Sequence, residues 1–328
     1  MSVSIKRRDF SLLACAALAL PQARAGTAWR LATGYRAESF HTVNLAAMAR
    51  EVAAATQGEL TIALHPNNSL VKLAEMRAAV ESGTVEAGET IMSSLVGDIP
   101  IAGADSIPFI VGSYADARRL WRHQRPRLEQ HFASRGLQVL YAVPWPPQGL
   151  YASKPVATAA DLKGSRMRTY NPTTARIASY LGAQGVDVPM VEVGKALAEG
   201  RIDSMITSAV TGVENRVWSH LRYYYEVNAW FPKNIVFANV RAMRSLAPRT
   251  REALLAACSA AELRGWASSE AVAASSVDEL RKNGIKVERV SSEFSAQIKR
   301  LGERFSLEWI RQVGAEANDI FVPYFTQA

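Results

Sequence analysis

The chain has 328 residues, 48% of them hydrophobic and 21% charged, with two cysteines and a formal charge of +8. It is too long for a disulfide-stapled mini-protein, too apolar for a disordered tail, and long enough for two lobes with separate cores. The basic balance points first to an acidic partner, such as nucleic acid or an anionic membrane surface.

Residues 1–25 read as an export signal. Lys6, Arg7 and Arg8 form a positive start, and residues 12–20 form an apolar stretch too short to span a bilayer. Ala23-Arg24-Ala25 puts small residues where a signal peptidase reads, so cleavage is expected after Ala25 and the mature protein in the periplasm. Arg7-Arg8-Asp9-Phe10 also matches the twin-arginine pattern, and Leu12-Leu13-Ala14-Cys15 resembles a lipoprotein box. Tat against Sec export, and lipidation at Cys15, stay open. Losing the leader removes Lys6, Arg7, Arg8, Arg24 and Asp9, which brings the charge from +8 to +5 over 303 residues. It also leaves Cys258 alone, in an apolar helical run that reads as a site for a buried structural thiol.

In chain order, 29–33 is a strand and 42–56 a helix, with Leu45, Met48, Ala49 and Val52 at helical spacing and Gly58 closing it. Leu60, Ile62 and Leu64 alternate as a half-buried strand before the break at Pro66-Asn67-Asn68. A helix over 73–81 ends at Gly83. This rhythm predicts parallel sheets with helices outside. After a strand over 137–143, Pro144, Pro146 and Pro147 around Trp145 mark a rigid crossing to a second α/β lobe. There the spacing predicts strands at 167–170, 186–188 and 202–206, and helices at 173–181 and 193–199. From Pro248 a helix runs to about 283, near 50 Å, longer than one small lobe and able to bridge two. A strand at 286–290 and helical segments follow. The fold expected is α/β and two-lobed, like a periplasmic binding protein, with a long helix spanning both lobes. Residues 26–145 plus about 235–277 form the first lobe, and 146–234 plus about 278–328 the second.

Chemical motifs are sparse. His41, His65, His123, His131 and His220 show no helical zinc-binding spacing, and no phosphate loop or nucleophile elbow occurs. Neither metal, cofactor nor catalytic residues are expected. The densest basic run, Arg118, Arg119, Arg122, Arg125 and Arg127 around Trp121, reads as a solvated helix face with Trp121 turned inward, so no nucleic-acid partner is expected. Arg166-Met167-Arg168 differs. On a strand Arg166 and Arg168 share a face, and an arginine near a strand end in an α/β sheet can offer a two-donor fork to a carboxylate. Spacing alone leaves that reading level with an ordinary surface arginine.

A family pattern tips the balance. Leu31-Ala32-Thr33-Gly34 through Phe40-His41, His65-Pro66-Asn67-Asn68-Ser69-Leu70, Glu81 through Gly88, and Ile107-Pro108-Phe109 appear in order. Asp161-Leu162-Lys163-Gly164 with Arg168, Leu181-Gly182-Ala183, and Ala196-Leu197 with Gly200 and Asp203 follow. Over 28–320 the chain resembles the TRAP-type (tripartite ATP-independent periplasmic) transporter solute-binding proteins of the DctP family.

The resemblance implies ligand capture between the lobes by hinge closure, delivery to membrane permease subunits driven by an ion gradient, and a monomeric receptor. It implies that Arg168 binds the substrate carboxylate and that Asn171 adds a polar contact. The chain departs from the family at Gln148, neutral where diacid binders carry a second arginine, and at Thr207, which stands in an asparagine position. Tyr35, Phe40, Met92, Trp145, Trp230 and Phe231 are cleft-wall candidates, with Ser93 as the alternative to Met92. Lys233 is either a second cleft cation or a solvated turn residue. One arginine and an aromatic wall point to a small organic acid anion, a monocarboxylate with an apolar or aromatic body. A sensor receptor presenting its ligand to a membrane kinase, and a periplasmic enzyme on a related fold, are the alternatives.

Overall fold

The structure, a computed structural model, describes residues 26–327. The expected leader, its cleavage point and Cys15 lie outside these residues. Two sheets organise the chain. The first contains β1 (Thr27–Thr33), β2 (Leu60–His65), β3 (Ala87–Ile91), β4 (Leu137–Pro144) and β10 (Lys233–Asn239), in the order β2-β1-β3-β10-β4. The second contains β5 (Gln148–Ala152), β6 (Arg166–Thr169), β7 (Gln184–Asp187), β8 (Ser204–Ser208), β9 (Tyr223–Tyr225) and β11 (Lys286–Glu288), in the order β11-β9-β5-β8-β6-β7.

The expectation of parallel sheets holds in part, since each sheet pairs parallel strands but also contains one strand that runs against its neighbours. β10 runs antiparallel to β3 and β4, and β5 antiparallel to β8 and β9. The cause is the crossing between lobes. A strand that has just arrived from the other lobe starts at the boundary and runs away from it. Its neighbours run towards it. β5 enters this way after Trp145-Pro146-Pro147, and β10 after 226–232.

Helices cover the sheets. α1 (Phe40–Ala55) turns Leu45, Met48 and Val52 onto Trp29, Leu31 and Leu60. The short α2 (Met76–Ser82) ends on Gly83 with φ 84°, a left-handed position that glycine occupies without strain. α3 (Tyr114–Ala133) buries Leu120, Trp121, Leu128 and Phe132. Four of its five arginines are ion-paired: Arg118 with Glu270, Arg119 with Asp116, Arg125 with Glu129 and Glu262, and Arg127 with Asp319. Most of the run's charge is therefore neutralised on the helix face. In the second lobe lie α4 (Pro172–Tyr180), α5 (Val193–Ala198) and α6 (Ala209–Glu214), and α7 (Val240–Ser245) follows β10.

α8 (Pro248–Lys282) starts on proline at the position where a missing N–H costs nothing. Leu254, Ala257, Cys258 and Ala261 pack into the first-lobe core, whereas Leu280 belongs to a second-lobe cluster with Tyr151, Leu197 and Tyr224. One helix therefore touches both lobes. Burial pushes the Cys258 thiol up to about 12, so it stays neutral.

α9 (Ser292–Val313) and α10 (Glu316–Thr326) depart from the expectation that everything beyond 278 stays with the second lobe. Ala317, Ile320, Phe321 and Tyr324 form one buried stripe on α10. That stripe faces α3, where Arg127 reaches Asp319 at 2.8 Å and His131 reaches Glu316 at 2.9 Å. Trp309 of α9 donates to Pro100 O at 2.9 Å, also in the first lobe. No helix of the described residues is long and apolar enough to cross a membrane.

Candidate functional site

β1, β3 and β4 aim their carboxyl ends at those of β6 and β8. Between them lies a cavity of about 520 Å³, within the usual range for a small-molecule site. In open α/β sheets ligands gather beyond these strand ends, where backbone and loop groups converge.

Arg168 sits near the end of β6, only 3% exposed, and lines the cavity. Its Nε donates to Val188 O at 2.9 Å, which fixes the guanidinium plane. The Tyr170 ring lies 4.6 Å from the guanidinium carbon, a cation–π contact from the same strand face two residues on. Among the described residues no carboxylate forms an ion pair with Arg168, and its two terminal nitrogens find no protein acceptor. Burial pulls its pKa down to about 10, while Tyr170, Tyr35 and Asp187 act to raise it. It is still a full cation at neutral pH. A buried cation without a partner is costly, so an incoming anion is strongly favoured here.

The facing wall is aromatic. Tyr35 follows β1 and Trp145 follows β4, with ring centroids 5.2 Å apart. Tyr35 Oη at 3.1 Å and Trp145 Nε1 at 2.8 Å both donate to Asn234 Oδ1, which locks the two rings in place. Gly34 is required beside them, because a Cβ there would lie 2.8 Å from Asn68 Oδ1. Asn67 and Asn68, which also line the cavity, adopt left-handed φ values of 60° and 55°, tolerable for asparagine.

The polar end is neutral. Gln148 opens β5 and its Nε2 donates to Pro146 O at 2.8 Å. Its Oε1 receives only a long 3.4 Å contact from Tyr170 Oη. Thr207 Oγ1 donates to Thr211 Oγ1 at 3.0 Å, and both threonines line the cavity. Lys72, Asp187 and Glu192 are exposed lining residues whose charges sit at the rim.

Of the site residues read from the sequence, Arg168, Gln148, Tyr35, Trp145 and Thr207 converge on this cavity. Four others do not line it. Met92 is fully buried in the core, because the chain turns into a short 3₁₀ segment there. Ser93 and Asn171 bond each other across the lobes at 2.6 Å, and Asn171 also caps α4 by accepting from Thr174 N. Phe231 packs edge-on against Tyr114 at 5.0 Å. Phe40 stands behind the wall, edge-on to Trp145 at 5.3 Å, and Trp230 is core. Lys233 is neither a cleft cation nor a solvated turn residue. It is fully buried in β10, with its Nζ 3.4 Å from Asp105 Oδ2. Tyr170 was missed, although strand alternation from Arg168 would have found it. Ser208 and Thr211 were also missed, and no local signal announces them. Among the described residues no group of side chains could hold a metal ion.

The family model for bacterial extracellular solute-binding protein, family 7 (DctP), matches residues 32–311. DctP6 of Bordetella pertussis, an extracytoplasmic solute receptor binding pyroglutamic acid, is 34% identical, with a TM-score of 0.90 over 92% of this chain and 100% of that one. A TRAP solute-binding protein from an unidentified marine microbe, solved with co-purified pyroglutamate, is 35% identical, with a TM-score of 0.90 over 92% of this chain and 99% of that one. A monocarboxylate 2-oxoacid-binding periplasmic protein of Nostoc sp. is 25% identical over 279 residues, 81% of this chain and 74% of that one. With family model and fold agreeing over most of its length, the chain belongs to bacterial extracellular solute-binding protein family 7, the TRAP solute receptors, and is not an enzyme.

Proposed function

We propose that this receptor captures a small monocarboxylate in the interlobe cavity and delivers it to a TRAP membrane permease in the periplasm, after loss of residues 1–25. Pyroglutamate is the first candidate. The carrying observation is Arg168: a buried, fixed guanidinium with both terminal nitrogens open to a ligand-sized cavity. A carboxylate docked there forms charge-assisted hydrogen bonds and neutralises the buried charge.

Three further features support a single carboxylate. Gln148 and Thr207 are neutral, so a second carboxylate meets no buried cation beside them. Asp187 and Glu192 at the rim repel one. The Gln148 Oε1 is poised to accept from a ligand N–H such as that of a lactam, while Tyr35, Trp145 and Tyr170 cover the apolar body. The apolar or aromatic body expected from the sequence narrows to a small ring, because the relatives at 34–36% identity are pyroglutamate binders.

The mechanism has no covalent step. The open cleft admits the anion, Arg168 takes its carboxylate, and the lobes close about their crossing strands. The test is mass spectrometry of small molecules released from the purified protein, followed by a thermal-shift screen of carboxylates. Recovery of a monocarboxylate, and stabilisation by pyroglutamate, is expected. Stabilisation by succinate-like diacids alone contradicts the reading.

A further inference from the structure

Arg36 lies in the first lobe, between β1 and α1, next to the cavity-wall residue Tyr35. Its side chain crosses to the second lobe. Nη1 donates to Glu214 O at 2.8 Å, and Nη2 donates to Val191 O at 3.0 Å and to Asn215 Oδ1 at 3.1 Å. Glu214 O ends α6, where helix carbonyls lack an intrahelical partner and favour a cation. One planar fork thus satisfies three acceptors on two segments of the other lobe, a geometry that lysine cannot reproduce.

The contact connects to the ligand wall on both sides. In the first lobe Tyr35 is its chain neighbour. In the second, Asn215 Nδ2 donates to Thr211 O at 2.9 Å, and Thr211 Oγ1 accepts from the cavity residue Thr207 at 3.0 Å. Asn215 is itself buried, so its position is set by these bonds. A ligand touching Tyr35 and Thr207 therefore holds both halves of the contact in register. A neutral side-chain hydrogen bond from Asn171 to Ser93, at 2.6 Å, also crosses between the cleft loops.

We propose that Arg36 is a positioning residue, the latch that holds the lobes closed over the bound solute. It rests on the reading of the cavity as the solute site. It acts on the closed state and leaves the open cleft untouched, so its loss speeds release more than it slows capture.

The test measures pyroglutamate binding kinetics and small-angle scattering for wild type, Arg36→Met and Arg36→Lys. For Arg36→Met, dissociation is expected to rise about tenfold while association stays within about twofold. Arg36→Lys should fall between, and at saturating ligand Arg36→Met should scatter with a larger radius of gyration than wild type. An unchanged dissociation rate, or a loss confined to association, overturns the latch. If wild type ignores pyroglutamate, the pyroglutamate reading fails separately, and the same kinetics with the small molecule released from the purified protein decide: an unchanged dissociation rate in Arg36→Met overturns the latch.

Discussion

Taking a guanidinium out of water costs several kcal/mol, and at Arg168 that cost is only partly offset, by Asp187 acting from the rim with no described carboxylate in ion-pair contact. In the proposed reading a carboxylate docked on Arg168 relieves this buried charge, which concentrates affinity in one contact. At about 4 Å and an effective dielectric near 20, a carboxylate contributes roughly 4 kcal/mol of Coulomb energy there, before its own desolvation. The neighbouring titration has the opposite character. Burial raises Glu214 from an ordinary 4.5 to about 7, with Arg36 pulling it down and Glu38 pushing it up. A carboxyl whose folded value is raised contributes stability that is present below its unfolded value and lost as pH climbs through the folded one. Urea unfolding should show wild type losing stability between about pH 4.5 and 7 relative to Glu214→Gln. Parallel pH profiles for the two proteins would contradict this.

At the level of elements, α8 ties the lobes together through close packing. Gly265 faces Val143 of β4 and Asn44 of α1, where an added Cβ would overlap Val143 Cγ2 and lie 2.8 Å from Asn44 Nδ2. Alanine gains up to about 1 kcal/mol in helix propensity, but overpacking costs about 1–3 kcal/mol, so the clash wins. Gly265→Ala should lower the urea midpoint, and a raised midpoint would show that β4 gives way. Elements with strong local periodicity were legible before the structure. The α8 span, β2 and α1 come within a few residues of expectation, because their apolar spacing is set by burial on one face. Direction of pairing was not legible, since β5 and β10 carry no local mark of having crossed from the other lobe. The site follows the same division. Arg168, Tyr35 and Gln148 stand at strand ends that pattern reveals, whereas Met92 and Phe231 were misplaced because an apolar residue reads alike in core and wall.

As a whole, the molecule is two α/β bodies joined by two crossing segments, one long helix, and the returning helices α9 and α10. The first-lobe attachment of α10 means that the second lobe moves against a larger body than the chain order implies. Few polar side chains bridge the cleft, so in the proposed mechanism closure is governed by the ligand and by the Arg36 contact. Bound solute stabilises the closed form by mass action, about 2.7 kcal/mol at a hundredfold excess over Kd. The most direct test is a calorimetric titration of pyroglutamate into the ligand-stripped receptor and into Arg168→Lys. One-to-one binding to wild type, weakened at least about tenfold or 1.4 kcal/mol in Arg168→Lys, is the predicted result. Equal affinity in the two proteins would contradict the assignment of Arg168 to the carboxylate.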